Sequence, residues 1–230
     1  VTGEPLDAKL MMEARALEIK YVREMKLYHK VPREQCVKAG CKAITTRWID
    51  VNKGDTRNKN YRSRLVAREI KKNVRPDLFA ATPPLEALRL LISDAATLEA
   101  GRERKMPMTN DVSRAYFYAP AIREMYIEIP QEDWEEGDED RVAKLDMSMY
   151  GTRGAAKNWQ ECYTGHLEAI GFSVGKANPC LFFHHARDIK LLVHGDDYVS
   201  VGSRQGLNWL KVELEKKFKI KTSTIGAHEG

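Results

Sequence analysis

The stretch Ile189-Lys-Leu-Leu-Val-His-Gly-Asp-Asp-Tyr-Val-Ser-Val-Gly202 constrains the fold more than any other part of this chain. Two apolar runs flank Gly195, Asp196 and Asp197, the pattern of paired strands joined by a tight turn. The hairpin carries two neighbouring carboxylates at its tip. Adjacent carboxylates repel, which raises one pKa unless a cation neutralises the pair. Asp196 and Asp197 therefore make a candidate divalent-metal ligand set, with an ordinary Asp-containing turn as the other reading that the residues alone leave open.

The rest of the chain alternates helical and extended patterns. Residues 8–28 place Leu10, Met11, Ala14, Leu17, Val22 and Met25 at helical spacing. Ile44 to Val51 and Tyr61 to Ile70 read as strands joined by turn formers, and period-2 geometry puts Arg62, Arg64 and Arg68 on one face of the second. Thr82-Pro83-Pro84 opens a helix to about Ala100, with Thr82 as cap, expected to be largely buried. Met108 to Tyr118 reads as a strand entering a short helix or turn, and Glu124 to Ile129 as a strand. A helix over 155–170 aligns Trp159, Tyr163, His166, Leu167 and Ile170 as a core stripe, which leaves His166 without a catalytic role. A last amphipathic helix spans Leu207 to about Phe218.

Charge is distributed unevenly. Arg15 to Arg75 holds 18 Lys or Arg against 6 Asp or Glu, whereas Glu124 to Asp140 holds nine acids and no base. A basic first third suits phosphate-rich partners, since neutralising phosphates releases counterions; a solvated basic face is the alternative. The acidic segment 131–140 is read as a solvated loop. Hydrophobic residues at 43% imply a real core. Cys162 with His166 and Cys180 with His184 share a four-residue spacing, but the chain has no Cys-x-x-Cys pair, so no zinc site is assigned. Scattered thiols, no apolar leader and no membrane-length apolar run lead to the expectation of a soluble intracellular protein, cytoplasmic or nuclear, without a signal peptide.

Upstream of the hairpin, Asp111-Val-Ser-Arg-Ala-Tyr116-Phe117 supplies a third carboxylate at the end of an apolar strand. Magnesium prefers oxygen ligands and keeps substrate phosphates among them, so three Asp on adjacent strands suit two-metal nucleotidyl transfer. In such a site one ion activates a primer 3′-hydroxyl and the other holds a nucleoside triphosphate. The Arg-rich hairpin would then close over that triphosphate.

An ordered series of motifs from about residue 40 onward resembles the reverse transcriptase of copia-type retrotransposons. Trp48-Ile49 through Tyr61-Arg-Ser-Arg-Leu-Val-Ala67 is similar to a fingers segment, and Phe79 to Ala96 to a Phe-Ala/Ser-Pro-Val segment with its Arg-Leu-Leu helix. Asp111-Val-Ser-Arg-Ala-Tyr-Phe resembles the first catalytic motif, and Glu124-Met-Tyr-Ile-Glu-Ile-Pro130 its sequel. Met149-Tyr-Gly151 with Ala155 and Trp159 resembles the Tyr-Gly motif, and His194-Gly-Asp-Asp197 stands where Tyr-Val-Asp-Asp is usual.

The resemblance implies an α+β fold: the fingers and palm of a right-hand polymerase, an antiparallel sheet backed by helices. It divides the chain into a helical lead-in (1–39), fingers (40–106) and palm (107–230) with a fingers-like insertion around 120–155. Nothing in the sequence resembles a thumb, an RNase H or an integrase. By carry-over, Asp111, Asp196 and Asp197 bind two Mg2+ ions, with Mn2+ possible. Arg62, Arg64, Val112, Tyr116 and Gly154 fall at substrate-contacting positions, and Tyr116 would clash with a ribose 2′-hydroxyl. That aromatic argues for deoxynucleotides and against the rival reading, an RNA-making polymerase. The implied partners are an RNA or DNA template with primer, dNTPs and the remainder of a Pol polyprotein, with no membrane. Gly154 replaces a usual Gln, Ala156 a usual Pro, Met147 a usual Lys, and His194-Gly195 a usual Tyr-Val. These departures keep open a second reading, a decayed non-catalytic domain that binds nucleic acid.

Overall fold

The computed structural model describes residues 6–225 apart from 56, 71, 72, 74 and 98–102. The chain forms two compact units, residues 1–78 with 119–158, and residues 79–118 with 159–230. Both are mixed α/β with antiparallel sheets. Elements are numbered in chain order.

In the first unit, α1 (Ala8–Glu24) starts at Asp7, whose carboxylate accepts from the backbone N–H groups of Lys9 and Leu10. Its stripe packs on β3 (Tyr61–Ala67), which pairs with β2 (Thr46–Asn52) over the register Trp48↔Leu65 and Val51↔Arg62. The side of this hairpin carrying Ser63, Leu65 and Ala67 is buried. Arg62 and Arg64 lie on the other side, across from Val51 and Ile49. The second sheet, β1 (Tyr28–Pro32), β6 (Arg141–Leu145) and β5 (Tyr126–Ile127), packs Val31, Tyr126 and Val142 with Cys36 of α2 (Arg33–Lys38).

The acidic segment differs from its sequence reading. Asp133 and Asp138 are 2% exposed. Asp133 accepts from Arg23 Nε and the Tyr28 hydroxyl, and Asp138 from Lys30 Nζ. Buried carboxylates need such donors, so the acidic run is a structural counterpart of the basic first third.

The second unit is a six-stranded antiparallel sheet, ordered β11 (Ile220–Thr224), β4 (Met106–Val112), β10 (Asp197–Gly202), β9 (Ile189–His194), β8 (Leu181–His184) and β7 (Ser173–Val174). The helix α3 (Leu85–Ala96) lays Ala87, Leu91 and Ala95 on Leu192 and Val201. Strand parity puts Tyr198 on the opposite face, where Tyr163 of α4 (Ala155–Ala169) meets it edge-on at 6.1 Å. α5 (Arg204–Glu215), capped by Ser203, buries Leu207, Leu210 and Leu214. α3 departs from expectation twice. Its N-cap is Pro84, with no side-chain cap from Thr82, and only one stripe is covered, with Leu85, Leu90 and Ile92 more than half exposed. The expected end near Ala100 lies outside the described residues.

Candidate carboxylate site

Asp197 opens β10 and stands directly opposite Asp111 on β4. The Val112 N–H donates to the Asp196 carbonyl at 2.9 Å, so Val112 and Asp196 are the hydrogen-bonded pair at the strand end. By alternation Asp111 and Asp197 form the closer, non-hydrogen-bonded pair, with Cα atoms roughly 4.5 Å apart. Like charges directly opposite are unfavourable in a sheet. Strand geometry alone therefore gives no reason for this pairing.

The turn that brings Asp196 into place depends on Gly195, whose φ is +65°, while Asp196 is not among the positive-φ residues. That sign pattern belongs to the type II′ hairpin turn, which favours Gly at its first central position. A Cβ on Gly195 would meet nothing within 4 Å, so backbone conformation and not space requires glycine there. Trp159 of α4 fixes the turn from below, its Nε1–H donating to the Gly195 carbonyl at 2.7 Å. The indole is 1% exposed and packs edge-on against Tyr163 and Phe218.

The electrostatics follow from this crowding. The Asp197 carboxyl is raised above the usual aspartate value, by desolvation first and then by the charges of Asp196 and Asp111, with His194 acting in the opposite sense. Three carboxylates offer the all-oxygen donor set that hard divalent cations take, and their uncompensated charge is what such a cation relieves. Among the described residues no three His, Cys, Asp or Glu side chains converge as a ready metal cage. The fit to divalent ions is thus one of donor chemistry and backbone register, without preset side-chain convergence.

The remaining sequence candidates fall in different surroundings. Val112 is fully buried with its side chain on the sheet face opposite Asp111, so its contribution near a ligand is its backbone bond to Asp196 and not its side chain. Tyr116 is half-buried in a short 3-10 turn, Ala115–Tyr118, entered through Arg114 in the left-handed region at φ +55°. Arg62, Arg64 and Gly154 belong to the first unit. There the Arg64 guanidinium lies 4.9 Å from the Tyr150 ring centre, and Tyr150 accepts the Ala67 N–H through its carbonyl. Gly154 is buried, and a Cβ on it would meet Arg123 Nε at 3.6 Å and Leu78 Cδ2 at 3.8 Å. Arg123 is held end-on by Glu69, which also accepts the Arg153 N–H. Burial would raise the Glu69 carboxyl, yet Arg123 and Arg153 hold it below the usual glutamate value.

Sequence reasoning missed two features. Helical periodicity makes Trp159 a core residue and the motif order places it after the Tyr-Gly segment, but neither shows that its indole N–H holds the hairpin tip. The second is a row across the sheet: Lys221 on β11 opposes Asp111, Asp111 opposes Asp197, and Asp197 opposes His194 on β9. Only the register reveals it.

Comparison with known proteins agrees with the order of motifs. Residues 33–227 match the family model described as reverse transcriptase (RNA-dependent DNA polymerase). A curated relative, the retrovirus-related Pol polyprotein from transposon TNT 1-94 of Nicotiana tabacum, is 28% identical over 191 residues, covering 79% of this chain. The chain spans 14% of that relative's length. Among the described residues no helix is long and apolar enough to cross a membrane.

Proposed function

This chain belongs to the reverse transcriptase (RNA-dependent DNA polymerase) family, and from that membership we propose that it is the catalytic domain that adds deoxynucleotides to a primer 3′-hydroxyl on an RNA or DNA template. The observation that carries this reading is the direct cross-strand pairing of Asp111 with Asp197, one strand end from Asp196. The second unit, with its six-stranded sheet and helices, then serves as palm, and the first-unit hairpin as part of the fingers.

In this reading Asp111, Asp196 and Asp197 hold the ions, and Mg2+ or Mn2+, when bound, supplies Lewis-acid polarisation and neutralises charge developing on phosphate. Gly195 and Trp159 keep the Asp196-Asp197 tip rigid, so that little reorganisation is needed at the moment of transfer. Tyr116 excludes a 2′-hydroxyl by its bulk. Arg62 and Arg64, on the open side of the hairpin, contribute positive charge toward the triphosphate. The partners are template, primer and dNTPs, with the remainder of a Pol polyprotein where it is expressed in full.

A second reading, a decayed domain that binds nucleic acid and makes no bond, is favoured by the unconverged carboxylates together with the absent side chain at Gly154. Primer extension on an oligoribonucleotide template separates the two. The catalytic reading expects extension with dNTPs, at least about a hundredfold weaker use of rNTPs, and loss of extension in Asp196→Asn/Asp197→Asn. Template binding without extension in both proteins overturns it in favour of the second.

A further inference from the structure

The short helix α2 ends in a Schellman turn that sets two cysteines against each other. Gly40 takes φ +65°, its N–H donating to the Val37 carbonyl at 2.9 Å, and the Cys41 N–H donates to the Cys36 carbonyl at 3.0 Å. A direct backbone bond between two residues keeps their Cα atoms within about 7 Å, the span that a disulfide can bridge. The side chains share one side of the turn: Cys36, 2% exposed, packs with Val31, Tyr126 and Val142, and half-buried Cys41 packs against that cluster. Both are free thiols. Beyond Cys41 the chain is tied to β5 through Ile44, whose N–H donates to the Tyr126 carbonyl at 2.8 Å and whose carbonyl accepts the Glu128 N–H at 2.9 Å. It then enters β2.

From this juxtaposition we infer that Cys36 and Cys41 are a redox-modification site, closing to an intramolecular disulfide that clamps the entry to the β2–β3 hairpin. The oxidant is a small-molecule disulfide of the glutathione class. The thiolate of Cys41, the more exposed of the two, attacks it, forms a mixed disulfide and expels one thiolate. The Cys36 thiolate then attacks the Cys41 sulfur and expels the second, and the two expelled thiolates take up the protons that the cysteines gave up. One small disulfide is reduced to two thiols while two protein thiols are oxidised to one bond. Burial first, and then Cys41 and Glu128, push the Cys36 thiol up, against Arg33 and the Ala43 N–H. Cys36 therefore suits the second step and not the first. A reducing milieu keeps the pair as a dithiol. The site stands apart from the carboxylates and from the polymerase reading.

The test uses the whole chain, treated with oxidised glutathione in its folded state and again in urea, then alkylated and cleaved with trypsin. Cleavage after Arg33, Lys38 and Lys42 puts the two cysteines on separate peptides, 34–38 and 39–42. In the folded wild type these peptides are expected as a linked pair from monomeric chains, at least about tenfold over glutathionyl-Cys41, with at least about tenfold less of the pair in urea. Excess reduced glutathione should restore both thiols. Cys41→Ser should give no linked pair, and amide exchange over 41–44 should slow on oxidation in the wild type alone. Cys162 and Cys180, in the second unit, serve as internal controls. Oxidation that stops at glutathionyl-Cys41, thiols alkylated as in the untreated chain, or a bridge that forms equally in urea overturns the inference and leaves the catalytic reading standing.

Discussion

Asp197 is the residue at which the sheet's geometry and its charges conflict most sharply. Its carboxyl has a raised pKa in the folded chain, so the stabilising contribution of the protonated form is complete below the unfolded value and is lost as pH rises through the folded one. Asp197→Asn is therefore expected to melt higher than the wild type at neutral pH, by about 0.2–1 kcal/mol in view of the solvent around it. The gap should close as melting is repeated toward acid; a gap that widens instead contradicts the assigned repulsion. Gly195 yields a second expectation at this scale. Gly195→Val forces a β-branched residue to φ +65° and should cost about 1–2 kcal/mol in thermal melting, with no loss if the turn relaxes freely. The Asp-Asp tip was legible in the sequence because two apolar runs around Gly-Asp-Asp admit few other arrangements. His194 and Lys221 were not, because their neighbours in space are set by register across four strands, and register is not written in any local pattern.

At the scale of elements, the hairpin depends on α4. Trp159→Phe keeps most of the packing against Tyr163 and Phe218 but removes the donor to the Gly195 carbonyl. A cost of about 1–3 kcal/mol in chemical denaturation is expected, with the tip amides exchanging faster than the rest of β9 and β10. Uniform exchange across both strands would show that the bond does not hold the turn. The acidic segment carries the opposite lesson about reading sequence. Seven acids without a base over 131–140 look like solvated loop, yet Asp133 sits beneath Arg23 and Tyr28, and burial together with that carboxylate pushes the Tyr28 hydroxyl pKa up. Asp133→Ala should destabilise the first unit by about 2–3 kcal/mol, read as a shift in denaturation midpoint. The helices over 8–24 and 155–169 and the strands β2, β3, β9 and β10 were visible as periodicity. Two-residue strands such as β5 and β7 were not, since two residues carry no period, and the edge strand β11 reads as polar because its outer residues face water.

Across the whole molecule the net charge of +5 conceals a division of labour. Within the first unit, Arg15, Arg23, Lys30 and Arg33 pair with Glu132, Asp133, Asp138 and Glu128. Among the described residues Arg47, Arg62 and Arg64, on the open side of the β2–β3 hairpin, form no ion pair. The excess that the sequence assigns to the first third is thus partly neutralised on folding, and in the proposed reading these three cations are the ones offered to phosphate. Arg62→Ala/Arg64→Ala should flatten the dependence of log affinity on log salt for an RNA–DNA duplex by about two. An unchanged slope would remove the hairpin from the nucleic-acid contact.

In the proposed reading carboxylates from separate strands form one polymerase site, and Asp111, some 85 residues upstream of the hairpin tip, is the member whose loss the hairpin alone could not explain. Single-turnover primer extension on an RNA template, with Asp111→Asn beside the wild type, should show template binding unchanged and nucleotide addition reduced by about a thousandfold or more. Addition at the wild-type rate by Asp111→Asn would contradict the account, because a pairing that can be broken without loss of chemistry is not the site of that chemistry.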